Sequence, residues 1–187
     1  MLDYLKSNFI AFLALIVSAA SFLLSFKNHL KSMVKLKLSY DIEDSFSVGL
    51  MHYDPYKLLI VNLKFENLST SDVNISKVSV MSGSTIHTAQ IFNITDYRNS
   101  NGISLIKKDH SRYIPVDIIS ENILNDTRIP SYGVIQGYAV FNGIEPKTEA
   151  TEYKVIVETP GKKFSKKIII NPLDSEYAPI NPLPINA

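Results

Sequence analysis

Glu152–Ile170 reads EYKVIVETPGKKFSKKIII, and its pattern sets the class of the domain around it. Tyr153, Val155 and Val157 stand two apart, the period of a strand with one face buried. Thr159-Pro160-Gly161-Lys162 fits a type II turn, in which proline presets the second position and glycine takes the positive φ of the third. Phe164, Ile168 and Ile170 then continue the returning strand. Two alternating runs joined by two turn residues form an antiparallel hairpin.

The same period recurs upstream. VIQGYAVF at 134–141 puts Ile135, Gly137, Ala139 and Phe141 on one face and Val134, Tyr138 and Val140 on the other. KLLIVNLKFEN at 57–67 puts Leu59, Val61, Leu63 and Phe65 on one face. Leu58 and Ile60 make its start apolar on both sides, as in a central strand. VNISKVSVM at 73–81 reads as a single strand with a bulge where the alternation slips. Ser82-Gly83-Ser84 turns into a further strand over 85–92, and 93–101 is polar and irregular. Short strands are expected over 103–106 and 112–119, with Pro115 confining the second to an edge. Residues 120–129 are expected to form a loop or a short helix. The first strand is expected over 33–40, where Val34, Leu36, Leu38 and Tyr40 alternate with Lys35, Lys37 and Ser39. The acids after it, Asp41, Glu43, Asp44 and Asp54, read as a solvated loop whose charge answers the preceding lysines.

About seven to nine such strands, divided by turn signals, predict an all-β fold: an antiparallel β-sandwich of immunoglobulin-like type over residues 33–171. The chain has no cysteine and no tryptophan, so the disulfide and buried indole of antibody domains are absent. Pro172, Pro179, Pro182 and Pro184 predict that 172–187 is an extended tail outside the sandwich.

Ahead of the strands, Phe9–Phe26 reads FIAFLALIVSAASFLLSF, free of charge throughout. A helix of that length covers about 27 Å, close to the hydrocarbon core of a bilayer. A transmembrane helix with its exit is expected over 9–30, preceded by a short tail, 1–8. A cleaved signal peptide is the competing reading, with Ser18-Ala19-Ala20 as its cleavage site. Hydrophobicity resumes at Phe22-Leu23-Leu24, which favours an uncleaved anchor. Lys27, Lys31, Lys35 and Lys37 follow the segment, whereas Lys6 precedes it beside Asp3. The positive-inside bias therefore places the β domain in the cytoplasm of a single-pass membrane protein, with an exported domain as the alternative. Those four lysines are the candidate contacts to lipid headgroups. Ala11, Ala14, Ser18, Ser21 and Ser25 repeat at intervals of three and four, a stripe of small residues that lets another helix approach closely. The partners expected are thus the bilayer and either a second copy or a protein partner packed on that stripe.

Chemistry is sparse. The 187 residues carry a net charge of +1, which gives no global attraction for nucleic acid, and no nucleic-acid partner is expected. Lys162, Lys163, Lys166 and Lys167 form a second basic cluster, read first as a solvated strand surface and second as lipid-attracting. His29, His52, His87 and His110 have no metal-ligand spacing, and the acidic run lacks the register of a calcium loop. No glycine-rich phosphate loop and no nucleophile elbow occurs. The expectation is a non-enzymatic module with no catalytic residue, metal or cofactor. The alternative is an enzyme with a loop-built site drawing on His52, Asp54, Asp109 and His110. Four glycosylation sequons begin at Asn67, Asn74, Asn93 and Asn125, and they matter only in a secreted eukaryotic setting.

The anchor with KNHLKSMVKLKLSY, the strand LLIVNLKFENLSTSDVNISKVSV, GYAVF after Pro130 and the hairpin YKVIVETPGKKFSKKIII together span nearly the whole chain. In that layout the protein resembles small single-pass, membrane-anchored β-domain proteins of Gram-positive bacteria and their prophages. The resemblance implies an interaction module at the membrane surface, a subunit of a membrane complex, or an accessory in superinfection exclusion or phage defence. It carries no functional residue over.

Overall fold

The first strand is longer than its alternation implies, and it changes face halfway. In the computed structural model, which describes residues 2–182 (side chains of 2–7 and 29–32 excepted), β1 runs Leu36–Met51 and pairs antiparallel with β2, Pro55–Asn67. Leu36, Leu38 and Tyr40 face one core, while Phe46, Val48 and Leu50 face another. Between the Asp41–Asn62 and Phe46–Ile60 partners, five steps along β1 oppose two along β2. An odd excess of residues moves every later even-numbered side chain to the opposite face. The acids Asp41, Glu43 and Asp44 are therefore not a free loop: they form the bulge. Ser45 Oγ donates to the Asp41 carbonyl and accepts from Asn62 N at 3.0 Å, which pins the extra residues to β2.

Among the described residues, twelve strands follow the helix. The remainder are β3 (Val73–Asn74), β4 (Lys77–Ser82), β5 (Thr85–Thr88), β6 (Ile103–Lys107), β7 (Tyr113–Val116), β8 (Arg128–Ile129), β9 (Val134–Asn142), β10 (Thr151–Thr159), β11 (Lys162–Ile170) and β12 (Tyr177–Pro179). The central sheet has the order β1-β2-β9, and a four-stranded sheet has the order β11-β10-β4-β5. The two pack face to face around Leu59, Val61, Phe65, Val78, Val80, Phe141, Val155, Val157 and Ile168. This is the all-β sandwich expected, and the opening hairpin is β10–β11, with Gly161 at φ 83° in its turn. Phe65 and Phe141 are fully buried; each burial is worth about 1.5 to 3 kcal/mol of transfer free energy.

The central sheet is covered on its other face as well. Leu58, Ile60, Tyr138 and Val140 turn toward a second core with Ile94, Ile103, Leu105, Val116 and Ile118. That layer carries the small sheet β12-β6-β7, in which Pro115 lies on the edge strand β7. It explains why β2 is apolar on both faces. Gly137 of β9 lies against the loop below it: a Cβ there would stand 2.4 Å from the Glu121 carbonyl oxygen. The glycine allows Tyr138 N to donate to that carbonyl at 2.8 Å.

Several expected boundaries are corrected. The expected strand over 73–81 is two: β3 pairs with β8, and β4 joins the four-stranded sheet. The strand expected over 85–92 ends at Thr88, and that over 112–119 covers only Tyr113–Val116. The tail expected from 172 is laid along the domain. There β12 pairs with β6, Leu173 and Tyr177 pack on the second core, and Met51 N donates to Asn181 O at 2.7 Å. Residues 183–187 lie outside the described residues.

The helix α1 runs Leu2–Ser32, so residues 2–8, expected as a tail, belong to it. Its segment Asn8–Asn28 is long and apolar enough to cross a membrane and none of it is buried against the domain. Only Met33, Val34 and Lys35 separate the helix from β1.

Candidate functional site

The two lysine clusters, distant in sequence, meet where the edges of the two main sheets run side by side. Edge strand β11 lies next to edge strand β1, and side chains join them. Lys162 Nζ donates to the Val34 carbonyl at 3.3 Å, and Lys166 Nζ to the Leu38 carbonyl at 3.1 Å. Tyr40 Oη accepts from Ile169 N at 3.1 Å and donates to Ile169 O at 3.3 Å. Lys162 and Lys166 share the register of Phe164, Ile168 and Ile170, whose side chains turn toward the core. At the rim of the sandwich their stems lie on Phe164 and Tyr40, with Nζ 5.0 and 5.8 Å from the ring centroids, and their ammonium groups reach out to the neighbouring edge.

The lysines of opposite register are paired along β10. Lys163 meets Glu158 at 3.0 Å and Lys167 meets Glu152 at 2.8 Å. Among the residues marked for headgroup contact, Lys27 is exposed, Lys31 lies outside the described side chains, and Lys35 is exposed beside the link. Lys37 pairs with Glu66 at 2.9 Å. The hydrogen bond from Lys37, aided by Lys64, holds the Glu66 carboxyl below its ordinary range. The counter-charge to this lysine is thus Glu66 on β2 and not the acidic run 41–44, which is turned into the bulge. Among the described residues, no carboxylate lies within ion-pair distance of Lys35, Lys162 or Lys166.

Two loops border this end of the domain. Asn67, at the end of β2, is buried. Its Nδ2 donates to the carbonyls of Ser71 at 2.8 Å, Ile129 at 3.2 Å and Pro130 at 2.9 Å, and its Oδ1 accepts from Ser69 N at 2.9 Å. One side chain therefore fixes two loops, 68–72 and 130–133, and its burial removes it as a glycan acceptor. Asp72 receives Arg128 at 2.7 Å and Ser131 N at 3.0 Å, and the Arg128 hydrogen bond holds its carboxyl below the usual range. The first loop is tied to the link through Leu68 N, which donates to Lys35 O at 2.8 Å.

The small stripe Ala11, Ala14, Ser18, Ser21 and Ser25 is exposed along α1. The loop candidates fall on two different turns. His52 and Asp54 occupy the β1–β2 turn, and Asp109 and His110 the β6–β7 turn. The stretch from Tyr177, opposite Lys107, to Pro182, opposite Leu50, runs between these turns. Asp109 is held below the ordinary carboxylate range by the Ser111 hydroxyl, which donates at 2.6 Å. Among the described residues no three His, Cys, Asp or Glu side chains group as metal ligands. A cleft lined by Glu121, Asn122, Asn125 and Gln136 has a volume of about 170 Å³. Typical small-molecule sites measure about 300 to 1,000 Å³.

No family model matches the chain, and no curated protein matches it. One solved structure, described as the X-ray structure of Northeast Structural Genomics Consortium target SoR45, is similar over 76% of this chain and 88% of its own. Its sequence identity is 10% and its TM-score 0.30, too low a likeness to carry an argument.

Proposed function

We propose that the protein is a non-enzymatic, single-pass membrane-anchored interaction module that holds an immunoglobulin-like sandwich against the cytoplasmic face of a membrane. The observation that carries this reading is an unburied apolar helix, Asn8–Asn28, joined to the domain by only three residues beyond Ser32. The orientation rests on the lysines after the helix, Lys27, Lys31, Lys35 and Lys37. The immunoglobulin-like assignment is supported by strand order. Taking β1, β2 and β9 as A, B and E, and β4, β5, β10 and β11 as C, C′, F and G, the two sheets read A-B-E and G-F-C-C′. The third layer is then an insertion between C′ and E, completed by β12 after G. A second copy or a partner helix on the Ala11–Ser25 stripe completes the proposal, as does membership among the anchored β-domain proteins of Gram-positive bacteria and prophages.

Two measurements test it. A stoichiometric partner or self-oligomer recovered from solubilised membranes supports the module, and a clean monomer without a partner counts against it. A cysteine introduced at Tyr53, in a chain that has none, reports topology through an impermeant thiol reagent on intact cells. Protection is expected; labelling from outside would place the domain on the outer face, where superinfection exclusion acts.

A further inference from the structure

The end of the domain joined to the helix gathers apolar side chains that are about half or more exposed among the described residues. Met33 is 47% exposed, Leu68 50%, Tyr132 68% and Val134 52%. They come from three segments: the link, the 68–72 loop and the 130–134 loop. Their backbones are tied together by Leu68 N to Lys35 O at 2.8 Å, Tyr132 N to Ser69 O at 3.3 Å and Asn67 N to Gly133 O at 2.9 Å. Tyr132 has φ 56°, a left-handed conformation uncommon for a bulky residue. It is held in a turn closed by Gly133 N to Pro130 O at 2.8 Å.

The charges around these side chains are sorted. Three acids of this end are paired: Glu66 with Lys37, Asp72 with Arg128 and Glu158 with Lys163. Lys35 and Lys162 have no carboxylate partner among the described residues. Aromatic and aliphatic side chains ringed by lysines are the composition of a surface that sits at a lipid headgroup layer. Chain length puts it there. From Asn28 to Lys35 the chain covers about 6 Å of helix and at most about 10 Å of extended backbone. The headgroup layer takes up about 5 to 8 Å of that distance, and tilt of the domain on its short link closes the rest.

We infer that this tip is a second membrane contact: Leu68 and Tyr132, with Met33 and Val134, enter the interface of the leaflet from which α1 emerges, and Lys35 and Lys162 meet anionic headgroups. The occupant is lipid, and the inference rests on the anchored reading of α1. It fixes the orientation of the sandwich, with the Tyr53 turn at the far end of β2, about 40 Å away at 13 residues.

The test uses the full chain in vesicles, with single cysteines at four positions carrying an environment-sensitive fluorophore. Leu68→Cys and Tyr132→Cys probe the tip, Val17→Cys probes the helix, and Tyr53→Cys serves as the distal control. A quencher borne on lipid should quench the Leu68 and Tyr132 probes at least threefold more than the Tyr53 probe, and more in phosphatidylglycerol vesicles than in pure phosphatidylcholine. Tip probes that behave like the Tyr53 probe, while the Val17 probe is quenched, would overturn the inference, keep the anchor, and leave the tip to a protein occupant. A Val17 probe that escapes quenching would overturn the anchored reading and the inference with it. The two tip probes lie on different exposed loops, so local damage by one label does not mimic the result of the other.

Discussion

Asn67 concentrates more consequence than any other polar residue at the helix-proximal end. It is an amide in a buried site whose hydrogen atoms and oxygen are all engaged, by three carbonyls and by Ser69. Truncation strands those carbonyls and frees two loops together. Asn67→Ala should lower stability by about 2 to 3 kcal/mol, and Asn67→Asp should be nearly as costly because it keeps the acceptor and loses the donors. Thermal melts of the full chain followed by circular dichroism check this, and a change below the scatter of replicate melts would remove Asn67 from its role. Tyr138 gives a pH signature at the same scale. Burial first, and then the carboxylates of Asp44, Glu121, Asp117 and Asp41, push its phenol up to about 12. Stability tied to that proton is complete below the ordinary value of 10.0 and falls as pH rises toward about 12, because the unfolded chain releases the proton first. Tyr138→Phe should shrink the stability loss across this window. Tyr153, raised in the same direction by burial, leaves part of it. An unchanged alkaline profile would contradict the assignment.

Edge strands are where the elements of this fold meet. The open edges of β1 and β11 are joined by side-chain bonds to backbone carbonyls and amides, which removes a template for edge-to-edge pairing. Tyr40→Phe deletes both hydrogen bonds to Ile169 and should cost about 1 to 2 kcal/mol. It should also increase self-association, read by light scattering in detergent; a variant as stable and as monodisperse as the parent would show that the seam is ornamental. The strands flanking this seam were legible in sequence because their periodicity is local: Leu59 through Phe65 and Tyr153 through Val157 alternate without interruption. The seam was not legible. Lys162 and Lys166 look like Lys163 and Lys167 in a one-dimensional pattern, yet register sends the first two to β1 and the others to glutamates on β10. The bulge was missed for a related reason. Asp41, Glu43 and Asp44 resemble a loop by composition, and only the later face of Phe46, Val48 and Leu50 reveals that pairing with β2 continues past them.

At the scale of the molecule, the central sheet is covered twice, and the second cover joins two short strands expected from sequence to segments that read as irregular or as tail. Ile94 and Ile118 lie outside strands, β6 and β7 are short, and β12 sits among prolines. The segments are too brief for periodicity to show that they form one layer, and they are brought together by packing on Leu58, Ile60, Tyr138 and Val140. The apolar doubling of Leu58 and Ile60 was the one local sign that such a cover exists. A prediction separates this account from the tail reading. If residues 172–182 were an appended tail, ending the chain at Asn171 would leave stability unchanged. In the structure that truncation removes β12 from β6, uncovers the second core where Leu173 and Tyr177 pack, and breaks the Met51–Asn181 bond beside the β1–β2 turn. Loss of two partly buried side chains and the strand pairing should cost about 2 to 4 kcal/mol. Leu173→Ala with Tyr177→Ala in the full-length chain should reproduce most of that loss while keeping the backbone present. A truncated chain that melts with the parent would show that the third layer is complete without its C-terminal strand. A truncated chain that melts early while the double variant does not would assign the stability to backbone pairing alone.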